Sequence, residues 1–138
     1  MSIATVCNIL YADDDADDHY FLTESITSSG LPANIVSVGN GEEAIHYLQR
    51  TDPQSLPSLI VLDLNMPRLN GTQTLSYLKA HPQYAGIPVV MLSTSANTED
   101  KKQCQQIGAA SYFVKPRYMS GYETLVQALL PYVQTQPC

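Results

Sequence analysis

Along this chain, short and almost wholly apolar runs alternate with longer segments whose apolar residues recur three and four positions apart. The first run covers 6–12 and ends abruptly in Asp13, Asp14 and Asp15, which predicts a strand buried on both faces. A helix follows through His19, with Phe21, Leu22 and Ile26 on its apolar side and a stop at Gly30, Leu31 and Pro32. Residues 35–38 read as a second strand. Asn40 then supplies an N-cap and Glu42 and Glu43 the first-turn acids of a helix that is apolar at Ala44, Ile45 and Leu48. Beyond a loop holding Pro53 and Pro57, the β-formers Leu59, Ile60, Val61 and Leu62 make the clearest strand, closed by Asp63. The pattern next predicts a loop over 65–71, a helix over 72–80 with Leu75 and Leu78 on one face, and a strand over 89–92. A polar helix capped by Asn97 or Thr98 runs to Ile107, and 111–114 is a fifth strand. The last helix is expected from Ser120, with Glu123 completing a capping box. Pro131, which lacks an amide hydrogen, should kink or end it near Leu130.

Five strand-helix units in succession predict one α/β domain over 1–138, a five-stranded doubly wound parallel sheet covered by helices on both faces. A chain of 138 residues suits one core. Residues 1–7 carry no basic segment followed by a long apolar run, and nowhere do about 18 apolar residues follow one another, so neither a signal peptide nor a membrane span is expected. A formal charge of -6 with seven Lys plus Arg lacks the basic footprint of a nucleic-acid binder. Cys7, Cys104 and Cys138 are widely spaced, without a zinc-site pattern, and read as reduced thiols of a cytoplasmic protein. No output domain is expected after the final helix, so any output must work by contact.

In open sheets of this kind, the working site lies at the carboxyl ends of the strands, where strand order reverses. Four strand ends supply Asp13, Asp14 and Asp15, then Asp63, then Ser93 and Thr94, then Lys115. Two carboxylates ~4 Å apart repel by about 4 kcal/mol at an effective dielectric of ~20, so such a cluster calls for a cation. Hard oxygen donors with room for water favour magnesium. With that metal and the Lys115 ammonium compensating charge, a carboxylate can attack phosphorus while the cations stabilise the phosphoryl oxygens, and Asp63 is the candidate nucleophile.

These pieces occur in a recognisable order: Ile9-Leu10-Tyr11-Ala12-Asp13-Asp14, Leu62-Asp63-Leu64-Asn65-Met66-Pro67 with Asn70-Gly71, Ile87-Pro88-Val89-Val90-Met91-Leu92-Ser93, and Gly108-Ala109-Ala110-Ser111-Tyr112-Phe113-Val114-Lys115-Pro116. Over essentially its whole length the chain resembles the response-regulator receivers of two-component signalling, which have a flavodoxin-like (βα)5 fold. The resemblance implies that Asp63 accepts a phosphoryl group from a sensor histidine kinase or phosphotransfer protein. It implies that Asp14 and Asp63 bind Mg²⁺ directly with the Asn65 carbonyl, and that Asp13 acts on the metal through water. Ser93 would bond the phosphoryl group, Lys115 would pair with it, and Tyr112 would be the rotating aromatic switch. It further implies a cis Lys115-Pro116 bond, and an output surface of the fourth helix, fifth strand and fifth helix that binds a downstream target or a second copy. The loop at 51–58 and the run at 63–68 resemble single-domain receivers that serve phytochrome-like sensor kinases. One departure is Thr94, where many receivers carry a smaller Ala, which alters access of water to the phosphoryl group.

Blander readings exist for each piece. Three acids before a helix are also what a solvated N-terminal turn looks like, and an Asp ending a strand or a Lys-Pro pair is common in turns. Tyr112 is by default a half-buried sheet aromatic, and Ser93 can simply bond backbone. His19, His46 and His81 lack metal-ligand spacing and are assigned surface or capping roles. An aspartate-nucleophile phosphatase should carry an acid two residues after the nucleophile, where this chain has Asn65, so an enzyme acting on free substrates is not expected. A nucleotide binder should offer glycines at the first turn, where this chain has three acids. A receiver-shaped interaction module that works without phosphorylation ranks below the phosphoacceptor, because the acids, Ser93 and Lys115 are all present.

Overall fold

The computed structural model describes residues 7–134. Its elements are β1 (Cys7–Ala12), α1 (Ala16–Ser29), β2 (Ala33–Val38), α2 (Gly41–Arg50), β3 (Leu59–Leu62), α3 (Gly71–Ala80), β4 (Val89–Ser93), α4 (Thr98–Ile107), β5 (Ser111–Val114) and α5 (Met119–Gln134), with a short 3-10 turn at Pro53–Ser55. Val6, expected in the first strand, and Cys138 lie outside the described residues. The strands form one parallel sheet in the order β2-β1-β3-β4-β5.

The sheet is buried on both faces because alternate residues of each strand feed different cores. Leu10, Ala12, Ile60, Leu62, Val89 and Met91 pack with Leu48 of α2, Leu75 and Leu78 of α3 and Cys104 of α4. Ile9, Tyr11, Leu59, Val61, Val90 and Leu92 pack with Leu22 and Ile26 of α1 and Leu125, Val126 and Leu129 of α5. This two-sided burial is why the strands read as continuous apolar runs rather than alternating ones. β3, flanked by β1 and β4, is buried at all four positions. α3 starts on a capping box in which Asn70 and Gln73 bond each other's backbone amides.

Three expectations are corrected. α5 does not stop near Leu130 but runs through Pro131 to Gln134. The extra turn is held by Val133, which is buried in the α1–α5 core, and by a 2.6 Å hydrogen bond between the hydroxyls of Tyr132 and Ser111. These contacts outweigh the lost amide bond. Every described peptide bond is trans, including Lys115-Pro116, so the ordinary preference for trans before proline, about 0.5–1 kcal/mol, prevails there. Cys7 is disulfide-bonded, against the expectation of a reduced thiol, whereas Cys104 is free and buried. Among the described residues no helix is long and apolar enough to cross a membrane.

Candidate functional site

The strand order reverses at β1 and β3: β1 pairs with β2 on one side and β3 on the other, and the later strands extend away from β3. A crevice therefore opens at the carboxyl ends of β1 and β3. Backbone bonds that continue the ladders fix the residues there. The Asp13 amide donates to the Val38 carbonyl at 3.1 Å, the Asp63 amide to that of Ala12 at 2.9 Å, and the Lys115 amide to that of Ser93 at 2.7 Å. Each functional residue thus stands on or just beyond the end of a rigid strand.

The sheet brings together Asp13, Asp14, Asp63 and Lys115. Carboxylate oxygens of Asp13, Asp14 and Asp63 lie within 4.8 Å of one another. Asp13 and Asp63 are buried and Asp14 is exposed, so the group opens to solvent on one side. The Lys115 ammonium lies 2.8 Å from Asp13, 2.7 Å from Asp18 and 3.4 Å from Asp63. Three carboxylates therefore face the Lys115 ammonium and Asp14 adds a fourth to the group, an excess of negative charge that a divalent cation with oxygen ligands would offset. The donor set fits such an ion.

Asp13 is held tightly. The Tyr11 hydroxyl donates to its Oδ2 at 2.6 Å and the Asp15 amide to its Oδ1 at 2.9 Å. Burial, then the charge of Asp13, pushes the Tyr11 phenol up, so it stays a donor. At Asp63, burial and then Asp13 push the carboxyl up to about 6, against the lowering pull of Lys115 and of a hydrogen bond from the Asn65 amide. Burial alone would lower Lys115. Hydrogen bonds to Asp13 and Asp18 and the charges of Asp13 and Asp63 outweigh it, raise its pKa and keep it cationic.

Ser93 ends β4, fully buried, with its Oγ accepting from the Ser95 amide at 3.1 Å. Tyr112 on β5 is half-buried against the α2–α4 side of the core, and its hydroxyl donates to the Ser95 carbonyl at 2.8 Å. Asn65 is exposed and meets Asp63 through its backbone amide. Thr94 is exposed and lines a cavity of about 410 Å³ with Asp15, Asp18 and Lys115. At Gly71, the second residue of the Asn-Gly pair, a Cβ would collide with the Asp63 carbonyl oxygen and the Leu64 Cα, so only glycine lets α3 start this close to the end of β3.

The sequence reading missed Asp18 and undervalued His19. Asp18 is on the first turn of α1, and that turn, N-capped by Asp15, aims it back at the strand ends. The run of acids at 13–18 was the available signal, but it gave no sign that the fifth of them would reach Lys115. His19 places Nε2 2.7 Å from the Asp13 carbonyl oxygen and lies tilted against Tyr11 with ring centres 4.5 Å apart, so it braces the first strand end.

The model of the response regulator receiver domain matches residues 9–129. The chain belongs to this family. It is homologous to phosphoacceptor two-component regulators, whose receiver domains bind Mg²⁺ or Mn²⁺ at an acidic pocket. Among relatives of this receiver, response regulator Rcp1 of Synechocystis sp. is 29% identical over 124 residues, covering 88% of this chain and 84% of Rcp1. The crystal structure of the phosphorylated cyanobacterial phytochrome response regulator RcpA superposes with a TM-score of 0.85 at 29% identity, covering 97% of this chain and 98% of that one. The Mn²⁺-bound form of Rcp1 gives a TM-score of 0.82 at 28% identity, covering 95% and 97%. The flavodoxin-like fold expected from the strand-helix pattern is the fold these structures share.

Proposed function

We propose that Asp63 is the phosphoacceptor, that Asp13, Asp14 and Asp63 with the Asn65 carbonyl hold Mg²⁺, and that Ser93 and Lys115 bind the transferred phosphoryl group. The observation that carries this reading is the convergence of three carboxylates within 4.8 Å on an ammonium anchored to a different strand end. Asp63 attacks phosphorus of a phosphohistidine donor, a bond forms between its carboxylate oxygen and phosphorus, and the phosphorus–nitrogen bond breaks with its electrons returning to the imidazole. When bound, the metal supplies charge neutralisation for the phosphoryl oxygens. Lys115, cationic under all working conditions, supplies a second fixed positive charge, and the Ser93 hydroxyl a hydrogen bond. The same groups would let water hydrolyse the acyl phosphate slowly, with Thr94 at the mouth governing its access.

The donor is a sensor histidine kinase or phosphotransfer protein. The likeness to Rcp1 and RcpA favours a phytochrome-like kinase. A cytoplasmic location fits such a donor. Output passes through α4, β5 and α5. β5 is an edge strand, and Val114, Tyr118 and Met119 beside it are the exposed large apolar residues of that region. Incubation with a small phosphodonor and Mg²⁺, followed by intact mass and peptide mapping, tests the assignment. One phosphoryl group on Asp63, absent in Asp63→Asn, is expected, and label on Asp13 or Asp14 in the unaltered protein overturns it.

A further inference from the structure

The Lys115 ammonium is held most closely by residues other than the one it is to serve. Its contact to Asp18 at 2.7 Å is a charge-assisted hydrogen bond and that to Asp13 at 2.8 Å a close ion pair, while 3.4 Å to Asp63 is longer than such bonds, which run to about 2.9 Å. Asp18 stands outside the three-carboxylate group, and its side chain is 18% exposed at the rim of the site. It lies in the first turn of α1, where the helix dipole favours a carboxylate. To engage a phosphoryl group on Asp63, Lys115 must leave Asp18 or share it.

We propose that Asp18 is a positioning residue for phosphotransfer, holding the Lys115 ammonium at the rim and setting how readily it engages a phosphoryl group on Asp63. This rests on Asp63 being the acceptor. A second residue makes the handover feasible. Tyr122 of α5 is buried beside Asp18, lines a cavity of about 130 Å³ with it, and has its phenol pushed up to about 12 by burial and then by the Asp18 carboxylate. A phenol donor beside it keeps the Asp18 carboxylate bonded when the ammonium turns inward.

The test compares the unaltered protein with Asp18→Asn and Asp18→Glu at saturating Mg²⁺. It measures the labelling rate with acetyl phosphate by intact mass, affinity for beryllofluoride, and thermal melting. Asp18→Asn removes the competing charge, so it should label roughly threefold to tenfold faster and bind beryllofluoride more tightly by a similar factor, with Asp18→Glu close to the unaltered protein. Unchanged or slower labelling of a folded Asp18→Asn overturns the proposal. Should that variant fail to fold, the carboxyl ¹³C resonance of Asp18 in the unaltered protein decides: it must shift on adding beryllofluoride, and a static signal overturns the handover. No label on the unaltered protein removes the Asp63 assignment and this inference together, whereas normal labelling with no effect of Asp18→Asn removes this inference alone.

Discussion

The Tyr112 hydroxyl donates to the Ser95 carbonyl at 2.8 Å, so the aromatic on β5 is tied to the turn that follows β4. The same Ser95 donates its amide to Ser93 Oγ at 3.1 Å and its hydroxyl to Asp100 of α4 at 2.7 Å. On the proposed role of Ser93, a phosphoryl group on Asp63 that draws the serine hydroxyl inward would pull on a turn that also holds Tyr112 and α4. Tyr112→Phe should label at Asp63 within about twofold of the unaltered rate, with stability lowered by about 1 kcal/mol for the lost hydrogen bond. Amide shift changes over 97–112 on adding beryllofluoride should shrink in this variant. Full propagation in Tyr112→Phe would show that the hydroxyl bond carries no coupling.

In the metal-free protein, Asp63 should make stability fall with rising pH. Its carboxyl sits at about 6 in the fold against 3.8 as the ordinary value, so between these values the native state binds more protons than the unfolded chain. Stability then decreases as pH rises from about 4 to about 6 and levels off above, by up to about 3 kcal/mol. In chelator, Asp63→Asn should therefore be more stable than the unaltered protein at about pH 7, and the advantage should vanish near pH 4. Urea melts at the two pH values decide it. An equal gain at both would mean that the charge of Asp63 is not its source.

Legibility in the sequence followed how local each feature is. The strand at Leu59–Leu62 and the edge strand at Ser111–Val114 were readable because apolar runs of that length, closed by an acid or a lysine, have few other structures to enter. The clustering of Asp13, Asp63 and Lys115 was readable because each ends such a run. Other features depend on contacts far apart in the chain. α5 outlasts Pro131 because Val133 and Tyr132 find partners across the domain. Asp18 reaches Lys115 across 97 positions of sequence, from a helix turn whose direction no local pattern records.

Gly71 should be intolerant of a side chain. A Cβ there meets the Asp63 carbonyl oxygen and Leu64 Cα, both backbone, and neither can move without displacing the end of β3. Gly71→Ala is expected to cost about 1–3 kcal/mol in urea unfolding and to slow phosphodonor labelling of the molecules that remain folded. Normal stability would mean that α3 can shift to make room.

Asp14→Ala isolates the metal from the fold. Asp14 is exposed, while Asp13 and Asp63 are buried, so its removal should leave melting within about 0.5 kcal/mol of the unaltered protein. With one of three carboxylates gone, Mg²⁺ binding by titration calorimetry and phosphodonor labelling should both be lost. Undiminished labelling in excess chelator, in the unaltered protein, would sink the metal requirement.

Phosphorylation should change the surface of α4, β5 and α5 and make it bind a protein partner or a second copy. α4 is polar nearly all round: Cys104 is its one buried residue and Ile107 packs only in part, so the helix can shift at low cost. Val114, Tyr118 and Met119 stand exposed around the Lys115–Pro116 turn, so a movement of Lys115 toward Asp63 is expected to reach them through the chain. Moving a population from 1:99 to 99:1 takes about 5.5 kcal/mol, within reach of charge-assisted bonds from Ser93, Lys115 and the metal acting together. Amide exchange and sedimentation with and without beryllofluoride read both halves of the prediction. Tyr118→Ser with Met119→Ser should weaken the induced association while leaving labelling at Asp63 unchanged. Exchange differences confined to the Asp63 pocket, with residues 97–122 untouched, would refute this route of output.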